Sequence, residues 1–203
     1  MKVTVPTSWS DITLKQFQRY LTAAQGEGLD AVTGAVCALA DIDLPTARRI
    51  PLSELYRLYE AVVDAMPEGQ RHPLRHVIKI KGRDYGFHPD LLGMTLGEFI
   101  DLSSLDPGFW PTAHRALAIL YRPVVARKGD RYRVEDYRAD HLDAAPQFLD
   151  LDMGTVMGAT IFFLSFLMEL PATLTTYSAD LLALVEAEVG AGTGSSTTLP
   201  TRT

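Results

Sequence analysis

Cysteine is almost missing from this chain, and the one residue present, Cys37, has no second thiol to pair with. An internal disulfide is therefore excluded, which suits a reducing compartment. Cys37 lies in the apolar run of residues 31–40, where a free thiol reads as a small buried hydrophobe. Positive charge is also in deficit: 19 Lys and Arg stand against 25 Asp and Glu, a formal charge of −6. That balance counts against a dedicated nucleic-acid binder, whose surface must neutralise phosphates.

Long hydrophobic runs are missing too. Residues 153–168 carry no charge, but Glu169 stops them short of the roughly 20 residues a membrane-spanning helix needs. No Lys or Arg stands within ten residues of either end. The stretch reads as a buried central helix, and Gly154 and Gly158 at a four-residue spacing would let two helices approach closely. No membrane partner is expected. The opening Met1-Lys2-Val3-Thr4-Val5-Pro6 has no apolar leader, so no secretory signal is expected either.

Catalytic motifs are absent as well. There is no Gly-x-Ser-x-Gly elbow, and the glycines at 190–194 are followed by Ser and Thr without the lysine of a phosphate loop. His72, His76 and His88 with Asp84 and Asp90, and the cluster Asp140-His141-Leu142-Asp143, lack a known metal-ligand spacing. No enzyme activity, cofactor or metal is expected.

What the chain does have is helical periodicity. Its 47% hydrophobic and 22% charged residues are ordinary for a packed protein. Residues 2–5 alternate as a short strand would, stopped by Pro6. Thr13-Leu14-Lys15-Gln16 has the form of a capping box, followed by Phe17, Tyr20 and Leu21 at helical spacing. Further helices are expected at residues 29–40, after Pro45, and from Ser53, with Leu55, Leu58, Tyr59 and Val62 as an apolar stripe. Residues 76–87 read as a hairpin turning near Gly82, and 124–134 as a second one turning at Gly129-Asp130. Residues 90–105 are expected to be helical, as is a segment from Pro111 ended by Pro123. Helices are expected again at 139–149, 153–169 and 171–189. Thr95-Leu96-Gly97-Glu98 repeats the capping box of Thr13, too short an echo to establish duplication. The expectation is a mainly α domain over residues 1–189, of about nine helices with two small β-hairpins, weakly divisible near 70–90. A flexible Gly/Ser/Thr-rich tail would occupy 190–203.

Charge is segregated along this plan. Lys79, Lys81 and Arg83 mark the first hairpin, and Arg122, Arg127, Lys128, Arg131 and Arg133 the second. From residue 139 onward the only base is Arg202. These basic residues, with Tyr132, are the candidate interaction residues. Their partners would be acidic surfaces, either this chain's own acidic C-terminal helices or a neighbouring copy; the alternative is nucleic acid, on whose bases Tyr121, Tyr132 and Tyr137 could stack.

Three stretches also resemble segments of small proteins encoded with the structural genes of tailed bacteriophages: residues 5–17, 114–124 and 129–137. The resemblance implies a virion component or tail-assembly chaperone that contacts other phage structural proteins, located in the virion or in the host cytoplasm during assembly. It carries no functional residue over.

Overall fold

The computed structural model describes residues 3–67, 69–105 and 109–169. The chain divides into two compact units, Met1–Phe162 and Phe163–Thr203. The expected helix at 171–189 and the tail at 190–203 lie outside the described residues. In the first unit, helices α1 (Leu14–Ala23), α2 (Gly28–Leu39), α3 (Leu44–Ala47) and α4 (Leu52–Asp64) precede the first hairpin, β1 (Val77–Ile80) and β2 (Arg83–Phe87). Then come α5 (Leu96–Ser103), α6 (Phe109–Leu120), β3 (Tyr121–Lys128), β4 (Arg131–Val134) and a 3-10 segment, Ala139–Asp150. Helix α7 (Met153–Glu169) begins in this unit. The fold is mostly helical with two β-hairpins, as the periodicity implies.

The two hairpins are not separate. They join through β2 and β3 into one antiparallel sheet of order β1-β2-β3-β4. Tyr85 faces Pro123, Gly86 faces Arg122, and Phe87 faces Tyr121. Pro123 therefore does not end α6; it sits inside a central strand, and the helix passes into β3 three residues before it. The sheet tolerates it for a reason visible in the ladder. His88 N–H donates to Leu120 O (2.7 Å), which sets the alternation so that Tyr85↔Pro123 falls at a non-hydrogen-bonded pair. The carbonyl of Pro123 turns the other way and accepts from Glu135 N–H at 2.9 Å. A bulge lies just beyond, between Val124 and Ala126. The turn of the first hairpin is Lys81-Gly82, both with positive φ (48° and 84°), the conformation that matches strand twist.

Other expectations need correction. Residues 3–7 form no strand, although Val3 and Val5 pack against the cluster of Val36, Leu55 and Leu58. Helix α4 starts at Leu52 after Pro51, so Ser53 is not its cap. Residues 90–105 hold a short 3-10 turn (Leu91–Gly93) before α5 rather than one helix. Ala139–Asp150 is 3-10 rather than α-helical, with Pro146 inside it. Cys37 is only half-buried.

The core lies between α6, one sheet face and the start of α7. Phe87 meets Tyr121 edge-on (5.2 Å between centroids) and Tyr85 meets Phe148 (5.7 Å). The N-termini of α1 and α7 are tied by reciprocal backbone bonds, Leu14 N–H to Leu151 O (2.9 Å) and Met153 N–H to Ile12 O (2.8 Å). Asp152 caps α7 by accepting from Thr155 N–H at 2.9 Å. At Gly158 an added Cβ would stand 2.5 Å from Pro73 O, so this glycine admits the extended backbone at His72 and Pro73, not a second helix. No helix among the described residues is long and apolar enough to cross a membrane.

Candidate functional site: a basic hairpin and the buried ion cluster at its root

The β3–β4 hairpin carries its cations in a defined pattern. Its cross-strand partners are Ala126↔Arg133, Arg127↔Tyr132 and Lys128↔Arg131. Partners opposite one another share a sheet face, so Lys128, Arg131 and Arg133 project from one face and Arg127 from the other. All four are exposed. Lys128 stands directly across from Arg131, a like-charge pair that weakens a hairpin.

Most cations elsewhere have carboxylate partners. Lys79 reaches Asp84 (3.7 Å), Arg83 pairs with Glu135 and lies over the Tyr85 ring, and Arg75 reaches Asp152 (3.2 Å). Among the described residues, no carboxylate comes within ion-pair distance of Lys81, Arg127, Lys128, Arg131 or Arg133. Arg127 instead donates from Nε to Gly129 O at 3.2 Å. Four unpaired cations thus share the hairpin tip, with Lys81 on the neighbouring turn; Lys15, Arg48, Arg49, Arg71 and Arg115, spread over the rest of the described residues, have no ion-pair partner either.

Arg122 does not belong to that surface. It is 6% exposed, and its Nη2 lies 2.9 Å from Glu98 Oε1. Glu98 is the only buried residue of α5, at 1% exposure. Its Oε2 closes the capping box, accepting from Thr95 N–H (2.6 Å) and the Thr95 hydroxyl (2.7 Å). Its Oε1 faces both Arg122 and His88 Nε2 (3.3 Å), contacts that are electrostatic and not well-aligned hydrogen bonds. Asp90 N–H donates to His88 Nδ1 at 3.2 Å, so the neutral ring keeps its proton on Nε2, toward Glu98. Burial pulls His88 below its ordinary pKa, with Arg122 adding to the effect and Glu98 and Asp90 opposing it. Burial lowers Arg122 as well, against the attraction of Glu98, Asp136 and Tyr137. Sequence reading missed this cluster because Thr95 and Glu98 look like a capping box and nothing more.

The tyrosines are likewise turned inward. The Tyr121 hydroxyl donates to Arg75 O (2.6 Å), Tyr132 donates to Phe87 O (2.7 Å), and Tyr137 donates to Asp101. Gly86 exists to receive the Tyr132 ring: a Cβ there would sit 2.4 Å from it. Burial raises the pKa of all three phenols, so they stay neutral donors. Stacking platforms for bases are not what these rings form.

The histidines and acids weighed as metal ligands are dispersed. His72 packs edge-on against Trp9, His88 belongs to the Glu98 cluster, and His141 Nε2 lies 3.4 Å from Glu135. Among the described residues, no group of three or more His, Cys, Asp or Glu could hold a metal ion. A pocket of about 190 Å³ lies between the sheet and the 3-10 segment, lined in part by Arg83, Tyr85, Glu135 and His141. Its charges pair with one another, Arg83 with Glu135 and Glu135 with His141.

No protein-family model, no curated protein and no solved structure matches the chain.

Proposed function

We propose that this protein is a non-enzymatic component of a tailed bacteriophage particle or of its assembly pathway, docking onto acidic surfaces of other structural proteins through the β3–β4 hairpin. The observation that carries this reading is the cluster of Arg127, Lys128, Arg131 and Arg133, exposed and without carboxylate partners among the described residues, on a chain whose net charge is −6. A like-charge pair such as Lys128↔Arg131 costs hairpin stability. Its presence fits a surface kept for a partner of opposite charge. The phage setting rests on the resemblance of residues 5–17, 114–124 and 129–137 to phage structural-gene products.

Replacing Arg127, Lys128, Arg131 and Arg133 together with glutamate tests the reading. Loss of the protein from assembled particles, with an unchanged thermal unfolding curve, is the expected result. Normal incorporation of the folded variant contradicts it. A nucleic-acid role for the same hairpin separates by salt response: phosphate neutralisation makes affinity for DNA or RNA fall steeply with ionic strength. A filter-binding titration at two salt concentrations should show weak binding throughout.

A further inference from the structure

Helix α5 (Leu96–Ser103) is attached the opposite way from an ordinary surface helix. A helix of a globular protein buries its apolar stripe and leaves charges in water. Here Leu96 (74%), Phe99 (47%) and Ile100 (53%) are exposed, while Glu98 is at 1%. Two carboxylates one turn apart, Glu98 and Asp101, hold the helix to the sheet. Glu98 reaches Arg122 on β3 and His88 just beyond β2; Asp101 accepts from the hydroxyl of Tyr137, just beyond β4. Only Leu102, half-buried one turn after Glu98, adds an apolar contact on the inward face, so α5 has little of the apolar packing that normally supplies most of a helix's stability. Such an element opens at lower free energy than the body it rests on.

We propose that α5 is a proton-operated catch: when His88 takes up a proton, a second cation buried beside Arg122 disfavours the closed state, and α5 comes away while α1, α6 and the sheet keep their packing. The geometry gives the mechanism. His88 Nδ1 accepts from Asp90 N–H at 3.2 Å, and a proton on Nδ1 turns that acceptor into a second donor and breaks the bond. The new cation would also share a buried site with the Arg122 guanidinium. The groups facing this site are Glu98 and Asp101 from α5, Arg122 from β3, Asp90 beside His88, and Asp136 and Tyr137 after β4. Glu98 and Asp90 favour the charged ring, yet burial and Arg122 outweigh them, so the closed state prefers neutral His88. With α5 open, the ring meets water and returns toward about 6.5. Opening is therefore coupled to uptake of one proton, and its equilibrium constant rises as pH falls below that value, by at most about tenfold per pH unit.

Hydrogen–deuterium exchange of the full chain at pH 7.5, 6.5 and 5.5, corrected for the intrinsic exchange rate, reads the opening directly. The α5 amides should lose protection as pH falls, by up to about tenfold per unit, while α1 and α6 hold theirs. In His88→Gln, which keeps an N–H able to reach Glu98 but cannot titrate, the α5 protection should not vary with pH. Flat protection in the wild type overturns the proposal, as does loss of α1, α5 and α6 together, or an unchanged pH trend in His88→Gln. Should that variant not fold, His88→Asn takes its place under the same criteria, and the wild-type profile still decides: protection lost at α5 alone as pH falls supports the catch, and flat or global loss overturns it.

Discussion

Glu98 sits at 1% exposure with its charge facing Arg122, and neither side chain can be removed alone without cost. Breaking a buried pair leaves the partner uncompensated, whereas replacing both by apolar groups removes the desolvation penalty along with the attraction. Glu98→Ala should therefore destabilise the protein by about 3–5 kcal/mol. The double variant Glu98→Ala, Arg122→Met should lose less than the single one in urea unfolding. A double variant as unstable as the single one would show that the pair is not coupled. The histidines give a pH signature at the same scale. His88 and His114 are both lowered, chiefly by burial, so their neutral forms belong to the folded state. A group depressed in the folded state contributes stability above its unfolded pKa and loses it as pH falls. Stability should accordingly decline below about pH 6.5, and His88→Gln should remove part of that slope in urea melts run from pH 7.5 to 5.

Elements were legible where one local signal was enough. Thr13 and Thr95 both form complete capping boxes, and the residue types of each box predict what the backbone does. The face that each capped helix buries was not legible. Phe17 is buried at 7% and packs edge-on against Trp110 at 5.1 Å, whereas Phe99 is 47% exposed and Glu98 turns inward in its place. Which face of a short helix is buried depends on what waits across the gap, here Arg122, and that partner is 24 residues away in sequence. The hairpin turns at Lys81-Gly82 and Gly129-Asp130 could be read from glycine alone, while the β2–β3 pairing that unites them is a long-range fact and could not. Pro123 misled for the same reason: a proline ends a helix in isolation, but a non-hydrogen-bonded sheet position accommodates it.

Two substitutions probe these elements. Lys128→Glu converts the cross-strand pair with Arg131 from repulsive to attractive, and should stabilise the hairpin by about 0.2–1 kcal/mol while weakening docking. Opposite signs in a melting curve and an incorporation assay would separate the two roles. Gly158→Ala should cost about 1–3 kcal/mol, because its Cβ meets backbone at Pro73 O, 2.5 Å away, which cannot rotate aside.

On the scale of the whole molecule, the described chain consists of a packed body and a charged edge. The body is explained by α6 and the start of α7 closing on one sheet face, and by α1, α2 and α4 packing against one another. The edge is the tip of the β3–β4 hairpin, where the described part of the chain leaves Arg127, Lys128, Arg131 and Arg133 without carboxylates. The sequence pattern correctly located that hairpin and named its cations. It erred on Arg122, which lies at the strand's buried root, and on Tyr132, whose hydroxyl serves the fold. Spacing along a strand does not reveal where the strand leaves the core, so one basic run contained both a structural arginine and a docking surface.

Zero-length carbodiimide crosslinking during particle assembly reads that docking surface with the least intervention, since it joins a lysine amine to a carboxylate only in direct contact. Lys128 should crosslink to Asp or Glu of another particle protein or of a neighbouring copy, and Lys15 on α1 should not. Crosslinks from Lys15 with none from Lys128 would contradict docking through the hairpin.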